Sequence, residues 1–156
     1  MEENEAPREE ESQQEENNQE RVLRIRLRTE CPCGTGKPYV DCCRDYHTGK
    51  RAPETAEQLM RSRYTAYFFR LADYLVGTQH PDTRPRGIRE ELEQTMPDMM
   101  WRSLKILSTS KGQKADNKGK VEFVATLHHE GKLLQHHEKS RFKKLKGKWK
   151  YLDAKG

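Results

Sequence analysis

Val121-Glu122-Phe123-Val124-Ala125-Thr126-Leu127-His128-His129, then Glu130-Gly131, then Lys132 and Leu133-Leu134-Gln135-His136-His137-Glu138-Lys139-Ser140-Arg141-Phe142 spell out an antiparallel hairpin. Apolar side chains recur at every second position from Val121 to Leu127, which puts Val121, Phe123, Ala125 and Leu127 on one face of an extended strand. The Glu-Gly pair is a two-residue reversal, because glycine accepts the positive φ that such a turn requires. In the return strand Leu134, His136, Glu138, Ser140 and Phe142 share one face, and Leu133, Gln135, His137, Lys139 and Arg141 share the other. Neither face is cleanly apolar. A curved sheet that closes in part over a cavity accounts for polar residues on an inner surface, and so does plain solvent exposure.

The same period of two extends to both sides. Trp101 to Leu107 and Trp149 to Leu152 complete a set of four strands, separated by the polar loop Lys111 to Gly119 and by Lys146-Gly147. Leu104 and Ile106 stand available opposite the Val121 to Leu127 face. Upstream the spacing changes to three and four: Ala56, Leu59, Met60, Tyr64, Tyr67, Phe68, Leu71 and Leu75 form one apolar and aromatic helical stripe. Pro53 opens this helix at a position where a missing amide donor costs nothing, Glu54 and Glu57 suit its dipole, and Gly77 ends it. No Gly or Pro between 53 and 76 tells one helix from two with a break near Arg70. His80 to Pro85 is a turn-rich connector, and Arg86 to Gln94 forms a short second helix before Pro97. Helices first and a meander second define an α+β fold, with N-terminal helices packed on a curved antiparallel sheet.

Only 32% of the 156 residues are hydrophobic, and the segment poorest in them is the N-terminal one, with Met1 and Ala6 alone in residues 1–20. Residues 1–20 hold nine Glu and one Arg, a net charge of −8, and too little apolar surface to offset the entropy of ordering. They read as a disordered acidic tail. The remaining 136 residues carry 29 basic and 16 acidic side chains, a net of +13. Arg21 to Arg28 alternates apolar and basic residues, as a short edge strand or an extended linker would. No apolar run reaches the length of a membrane span, and an acidic N-terminus is the opposite of a secretory or transit signal. The expected compartment is the cytoplasm, where thiols stay reduced.

All four cysteines lie in one 13-residue stretch, as Cys31-Pro32-Cys33 and Cys42-Cys43 around Gly34-Thr35-Gly36. Four thiolates complete the tetrahedral shell of a structural zinc ion. The glycines allow a tight reversal, and Lys37 and Arg44 offset the charge of the centre. Alternatives suit the pattern less well. Disulfides are disfavoured in a reducing compartment, and a Cys42–Cys43 bridge would close a strained ring. Unligated buried cysteines are normally scattered over core elements, redox pairs are typically spaced Cys-x-x-Cys, and an iron–sulfur cluster is a minor option beside a compact mononuclear site.

Cys31-Pro32-Cys33-Gly34-Thr35-Gly36-Lys37-Pro38-Tyr39-Val40-Asp41-Cys42-Cys43 resembles the SEC-C motif, the zinc-binding tail of the SecA translocation ATPase and a small module of many bacterial proteins. The resemblance implies zinc on Cys31, Cys33, Cys42 and Cys43, in the all-Cys variant of a motif whose fourth ligand is often His. Arg51 to Tyr64, Ala72 to Leu75, Thr78 to Pro81, Val121 to Ala125 and His137 to Phe142 are similar to the bacterial YchJ-like proteins. That likeness implies a SEC-C element followed by a domain similar to the nuclear transport factor two and cystatin-like fold, with no assigned reaction. The chain then divides into the acidic tail at 1–20, a linker and SEC-C-like zinc motif at 21–50, and the α+β cystatin-like domain at 51–156.

Three further features bear on function. His128-His129 and His136-His137 flank the hairpin turn, but adjacent residues point to opposite faces, so cross-strand polar pairs are a simpler reading than a second metal site. Tyr64, Trp101, His137 and Arg141 are candidates to line a pocket in the concave sheet, or else are core packing with a satisfied histidine. Arg61-Ser62-Arg63, Arg84-Pro85-Arg86 and the lysine-rich run from Lys139 to Lys150 form a basic surface suited to RNA, DNA or acidic proteins, and Trp149 and Tyr151 either stack a base or turn to the core. No base, orienting partner and oxyanion donor stand at recognisable spacing. The expected function is therefore a non-enzymatic adaptor that meets a protein or nucleic-acid partner through the zinc loop and basic surface. The alternative is a small-ligand receptor or enzyme using the concave sheet.

Overall fold

The computed structural model describes residues 18–25 and 28–156. Helix α1 (Asn18–Arg24) leads into the cysteine loop, a single 3-10 turn (Tyr39–Asp41) and α2 (Cys43–Thr48). Then come α3 (Ala56–Phe69), α4 (Ala72–Gly77), α5 (Ile88–Thr95) and four strands, β1 (Met99–Lys111), β2 (Lys118–His129), β3 (Lys132–Leu145) and β4 (Lys148–Asp153). The strands form one antiparallel sheet in the order β1-β2-β3-β4. This is the expected α+β arrangement.

The segment read as an edge strand or linker at 21–28 is helical through Arg24. Its period of three prevails over its period of two, because Val22 is buried and Ile25 packs against the same cluster. Residues 18–20 of the acidic segment belong to that helix and so are not part of a disordered tail; residues 1–17, 26 and 27 lie outside the described residues.

Helix α3 begins at Ala56, three residues after Pro53, because Thr55 caps it: the Gln58 backbone N–H donates to Thr55 Oγ1 at 3.1 Å, and Gln58 Oε1 accepts from the Glu54 N–H at 2.7 Å. The helix ends at Arg70, which takes left-handed φ 61° and ψ 50° and separates α3 from α4. A non-glycine residue in that region is uncommon, which is why no residue type announced the joint.

Helix α3 is central, not one-sided. One flank, with Ala56, Leu59, Met60 and Tyr64, packs on Leu104, Val121, Phe123, Phe142 and Trp149 of the sheet. Another, at Ala66, joins a second cluster with Val22, Tyr39, Leu71, Leu75 and three of the cysteines. A helix enclosed on several sides must satisfy its polar residues internally. Ser62 Oγ donates to the Leu59 carbonyl at 2.8 Å, and Arg63 Nη1 donates to the Leu75 carbonyl at 2.9 Å and Thr78 Oγ1 at 2.7 Å. Ser62 and Arg63, expected on a basic surface, are thus buried, whereas Phe68 of the expected stripe is 39% exposed.

The hairpin turns Glu130-Gly131 and Lys146-Gly147 have positive φ at both residues, as two-residue reversals require. Register places Leu127, Ala125, Phe123 and Val121 opposite Leu134, His136, Glu138 and Ser140, so these side chains share the inner face. Val121, Phe123, Ala125 and Leu127 are all buried there. Strand β1 slips register between Trp101 and Ser103 and again between Ile106 and Ser108, two bulges that bend it around the helices. Trp149 turns to the core, where its indole N–H donates to the Glu54 carbonyl at 3.0 Å.

Candidate metal centre

The cysteine loop is closed at its neck by backbone bonds, with the Cys31 N–H donating to Lys37 O at 2.8 Å and the Tyr39 N–H to Thr29 O at 2.7 Å. Gly34 and Gly36 take φ near 89° and 84°, which brings Cys31 and Cys33 around to face Cys42 and Cys43. The loop rests against the domain: a Cβ on Gly34 would lie 3.2 Å from the Leu104 carbonyl, and Arg61 Nη1 donates to the Cys33 carbonyl at 2.6 Å.

The four sulfurs all lie within 4.8 Å of one another. Cys31, Cys33 and Cys43 are buried, Cys42 is half-buried, and none is in a disulfide. A tetrahedron of sulfurs around zinc at about 2.3 Å has edges of about 3.8 Å, so the cluster has the dimensions of such a shell. The Cys33–Cys42 sulfur separation is 3.5 Å. Thr35 Oγ1 lies 3.2 Å from Cys42 Sγ and 3.5 Å from Cys33 Sγ, and Thr65 Oγ1 of α3 lies 3.8 Å from Cys31 Sγ. These hydroxyls are of the kind that stabilise and orient thiolate ligands.

The packed thiols compete for charge. Hydrogen bonds from Cys31, then Cys42 and Cys43, hold Cys33 far below the usual thiol range. The bond with Cys31 is the main cause that lowers Cys42 to about 6. Cys31, through its bond with Cys33, and Cys43, through its bond with Cys31, are pushed far up. A divalent cation is the species that lets all four ionise together. Behind the cluster, Tyr39 Oη donates to His47 Nδ1 at 2.7 Å, and His47 Nε2–H donates to the Ser62 carbonyl at 2.8 Å. Burial lowers the His47 pKa to about 4, so the imidazole is neutral near pH 7. Arg61, Thr65 and His47 were not legible as parts of this site, since they reach it only through the fold; the Gly-Thr-Gly run was legible as a tight reversal, but not the contact of the Thr35 hydroxyl with Cys33 and Cys42.

The pocket quartet does not assemble. Tyr64 and Trp101 line a cleft between the helices and the inner face, but His137 and Arg141 occupy the outer face, opposite Val124 and Lys120. Strand parity is the physical reason: His136 and Glu138, one residue out of step with His137, share the inner face with Phe142. Arg141 instead forms a two-bond ion pair with Asp153 at 2.7 and 2.6 Å, and His137 Nε2 meets Glu122 at 2.7 Å. The histidines by the hairpin do not converge, and among the described residues the cysteines are the one cluster able to hold a metal ion.

Residues 55–154 match the family described as YchJ, middle NTF2-like domain. Helices over a four-stranded meander, entered through a tetrathiol loop, place the protein in the class of NTF2-like folds with a SEC-C-type cysteine element. The chain belongs to the YchJ-like, UPF0225 family. It is 44% identical over 130 residues to the UPF0225 protein of Geobacter sulfurreducens, spanning 81% of this chain and 78% of that protein. The Streptomyces coelicolor UPF0225 protein is 44% identical over 124 residues, spanning 80% and 93%. A SEC-C motif containing protein from Rhodopseudomonas palustris, solved in solution, has a TM-score of 0.73 at 34% identity over 80% of this chain and 96% of that one. A crystal structure from Psychrobacter arcticus, also of a SEC-C motif containing protein, has a TM-score of 0.69 at 28% identity over 83% of each. No helix among the described residues is long and apolar enough to cross a membrane.

Proposed function

We propose that the protein is a cytoplasmic, zinc-stapled binding module. Cys31, Cys33, Cys42 and Cys43 hold one Zn²⁺ as a structural ion, and the zinc loop and a basic surface meet a polyanionic partner, an RNA, a DNA or an acidic protein. The observation that carries the reading is the convergence of four unbridged sulfurs within 4.8 Å. The closed, all-protein donor set has no position left for a substrate, which suits a structural metal.

The basic surface is the open face of the sheet. Lys118 stands opposite Lys143, and Lys120 opposite Arg141. With Lys111 these residues line a shallow groove of about 260 Å³. Among the described residues Lys111, Lys118, Lys120 and Lys143 form no ion pair. Closely set cations without carboxylate partners raise the local positive potential and attract phosphates or carboxylates.

Elemental analysis of the purified full chain tests the first half: one zinc per chain is expected, and a stoichiometry near zero overturns it. Titration with a poly(U) RNA and with polyglutamate, each at two salt concentrations, tests the second half. Salt-sensitive binding of either is expected, and absence of both at low salt overturns it.

A further inference from the structure

Between α3, α5 and the inner face of the sheet lies a cleft of about 580 Å³, a volume usual for small-molecule sites. Its walls are mainly apolar and aromatic, with Met60, Tyr67, Ile88, Leu92 and Phe123 among them. Two polar groups on lining residues stand out. The hydroxyl of Tyr64, a residue only 2% exposed, and the indole N–H of Trp101 are buried and meet no acceptor among the described residues. Buried donors are rarely left unpaired in native proteins, and these two belong to neighbouring rings whose centroids are 5.9 Å apart.

A third lining residue adds to the surplus of donors. Arg63 is 4% exposed, and its guanidinium lies 4.7 Å from the centre of the Tyr151 ring. Nη1 donates to Leu75 O and Thr78 Oγ1, but no carboxylate pairs with Arg63 and its other nitrogens donate to nothing among the described residues. The carboxylate of Glu138, a lining residue on the sheet floor, is already committed. Glu138 Oε2 accepts from Ser140 at 2.5 Å and from Tyr151 Oη at 2.9 Å, while Oε1 meets His136 Nε2 at 2.8 Å. Tyr64 Oη and Trp101 Nε1 are the donors that lack an oxygen acceptor; the other lining oxygens, the Glu91 carboxylate and the Gln79 and Gln135 amides among them, do not meet either one among the described residues.

We infer that the cleft binds a small, largely apolar ring compound bearing a carbonyl or carboxylate oxygen, which accepts hydrogen bonds from Tyr64 and Trp101. The apolar walls take the ring, and the oxygen relieves the unpaired donors. Arg63 supplies positive charge in the same wall. The site is separate from the cysteine cluster and does not depend on the metal reading.

The test is titration of the full chain with 2-acetonaphthone, 2-naphthoate and naphthalene, followed by nuclear magnetic resonance of the backbone and indole N–H groups. At least one oxygen-bearing probe is expected to bind about tenfold more tightly than naphthalene, with the Trp101 indole resonance moving and the other shifts confined to cleft residues. A preference for 2-naphthoate that fades with salt identifies a carboxylate; a preference for 2-acetonaphthone identifies a carbonyl. Tyr64→Phe, which removes one oxygen and keeps the ring, is expected to cut the preference several-fold while leaving naphthalene affinity unchanged. If that variant does not fold, Trp101→Phe takes its place. Equal affinity for all three probes, shifts outside the cleft, or an unchanged preference in a folded variant overturns the proposal.

Discussion

Arg61 Nη1 donates to the carbonyl of Cys33 at 2.6 Å across a sequence separation of 28 residues, while its Nε holds Glu57 one turn earlier at 2.9 Å. The helix that packs on the sheet therefore also fixes the peptide that follows a candidate ligand. Arg61→Met keeps the aliphatic stem and removes the bond. Its zinc affinity, read by competition with a chelating dye, is expected to fall at least about tenfold with the far-ultraviolet spectrum unchanged. Equal affinity would show that the loop is held by the metal alone.

Cys42→Ser removes the half-buried sulfur, and zinc is expected to leave with it. The cysteines share a buried cluster with Val22, Tyr39 and Leu75, so faster amide hydrogen exchange is expected at residues 28–50 and in α1. Exchange in β2 and β3, which draw on the other cluster, is expected to change little. Uniform acceleration along the chain would contradict this division.

His47 gives the fold a dependence on acid. Its folded pKa of about 4 lies below the unfolded value of 6.5. Between those limits the unfolded chain binds the extra proton, so stability is complete above about pH 6.5 and falls as the pH drops toward 4. The urea midpoint at pH 5 is expected below that at pH 7. His47→Gln is expected to lose part of that difference; an identical pH profile in the variant would remove His47 as its source.

Gly119 and Gly112 meet backbone to backbone where the β1–β2 connection closes, and a Cβ on Gly119 would collide with the Gly112 main chain. The Gly112 carbonyl also accepts the first N–H of α3, from Ala56, at 2.9 Å. Gly119→Ala is expected to destabilise the domain by about 1–3 kcal/mol, read as a lower urea midpoint. A neutral effect would mean that the loop moves away without loosening the start of α3.

Lys118→Glu or Lys143→Glu alone puts opposite charges on facing residues of the sheet, and the two together reverse the sign of the pair. Each single variant is expected to weaken poly(U) or polyglutamate binding and to flatten its salt dependence, while the double variant retains the fold. Unchanged binding would move the polyanion surface elsewhere on the chain.

Elements with strong periodicity were legible: Val121 to Leu127 alternated because one face is buried, and Glu130-Gly131 turned because glycine permits it. Cys31, Cys33, Cys42 and Cys43 were legible because metal chemistry needs several sulfurs close together, and a short loop supplies them without help from the fold. The limits of α3 were not. Arg70 takes a left-handed conformation unusual for its type, and Ser62 and Arg63 enter the interior only because partners from α4 wait there. His136 and Glu138 were exchanged for His137 and Arg141 because polar residues occupy both sides of β3, so alternation alone left the sign of the face undetermined.

The two register slips in β1 have a consequence for evolution as well as for shape. Each inserts an unpaired residue into β1, an edge strand, and a bulge of this kind adds local twist and bend to that border of the sheet. A relative that deleted both is expected to keep its cysteine loop and its meander yet flatten its floor, so the depth of the cleft depends on backbone insertions as well as on the residues lining it.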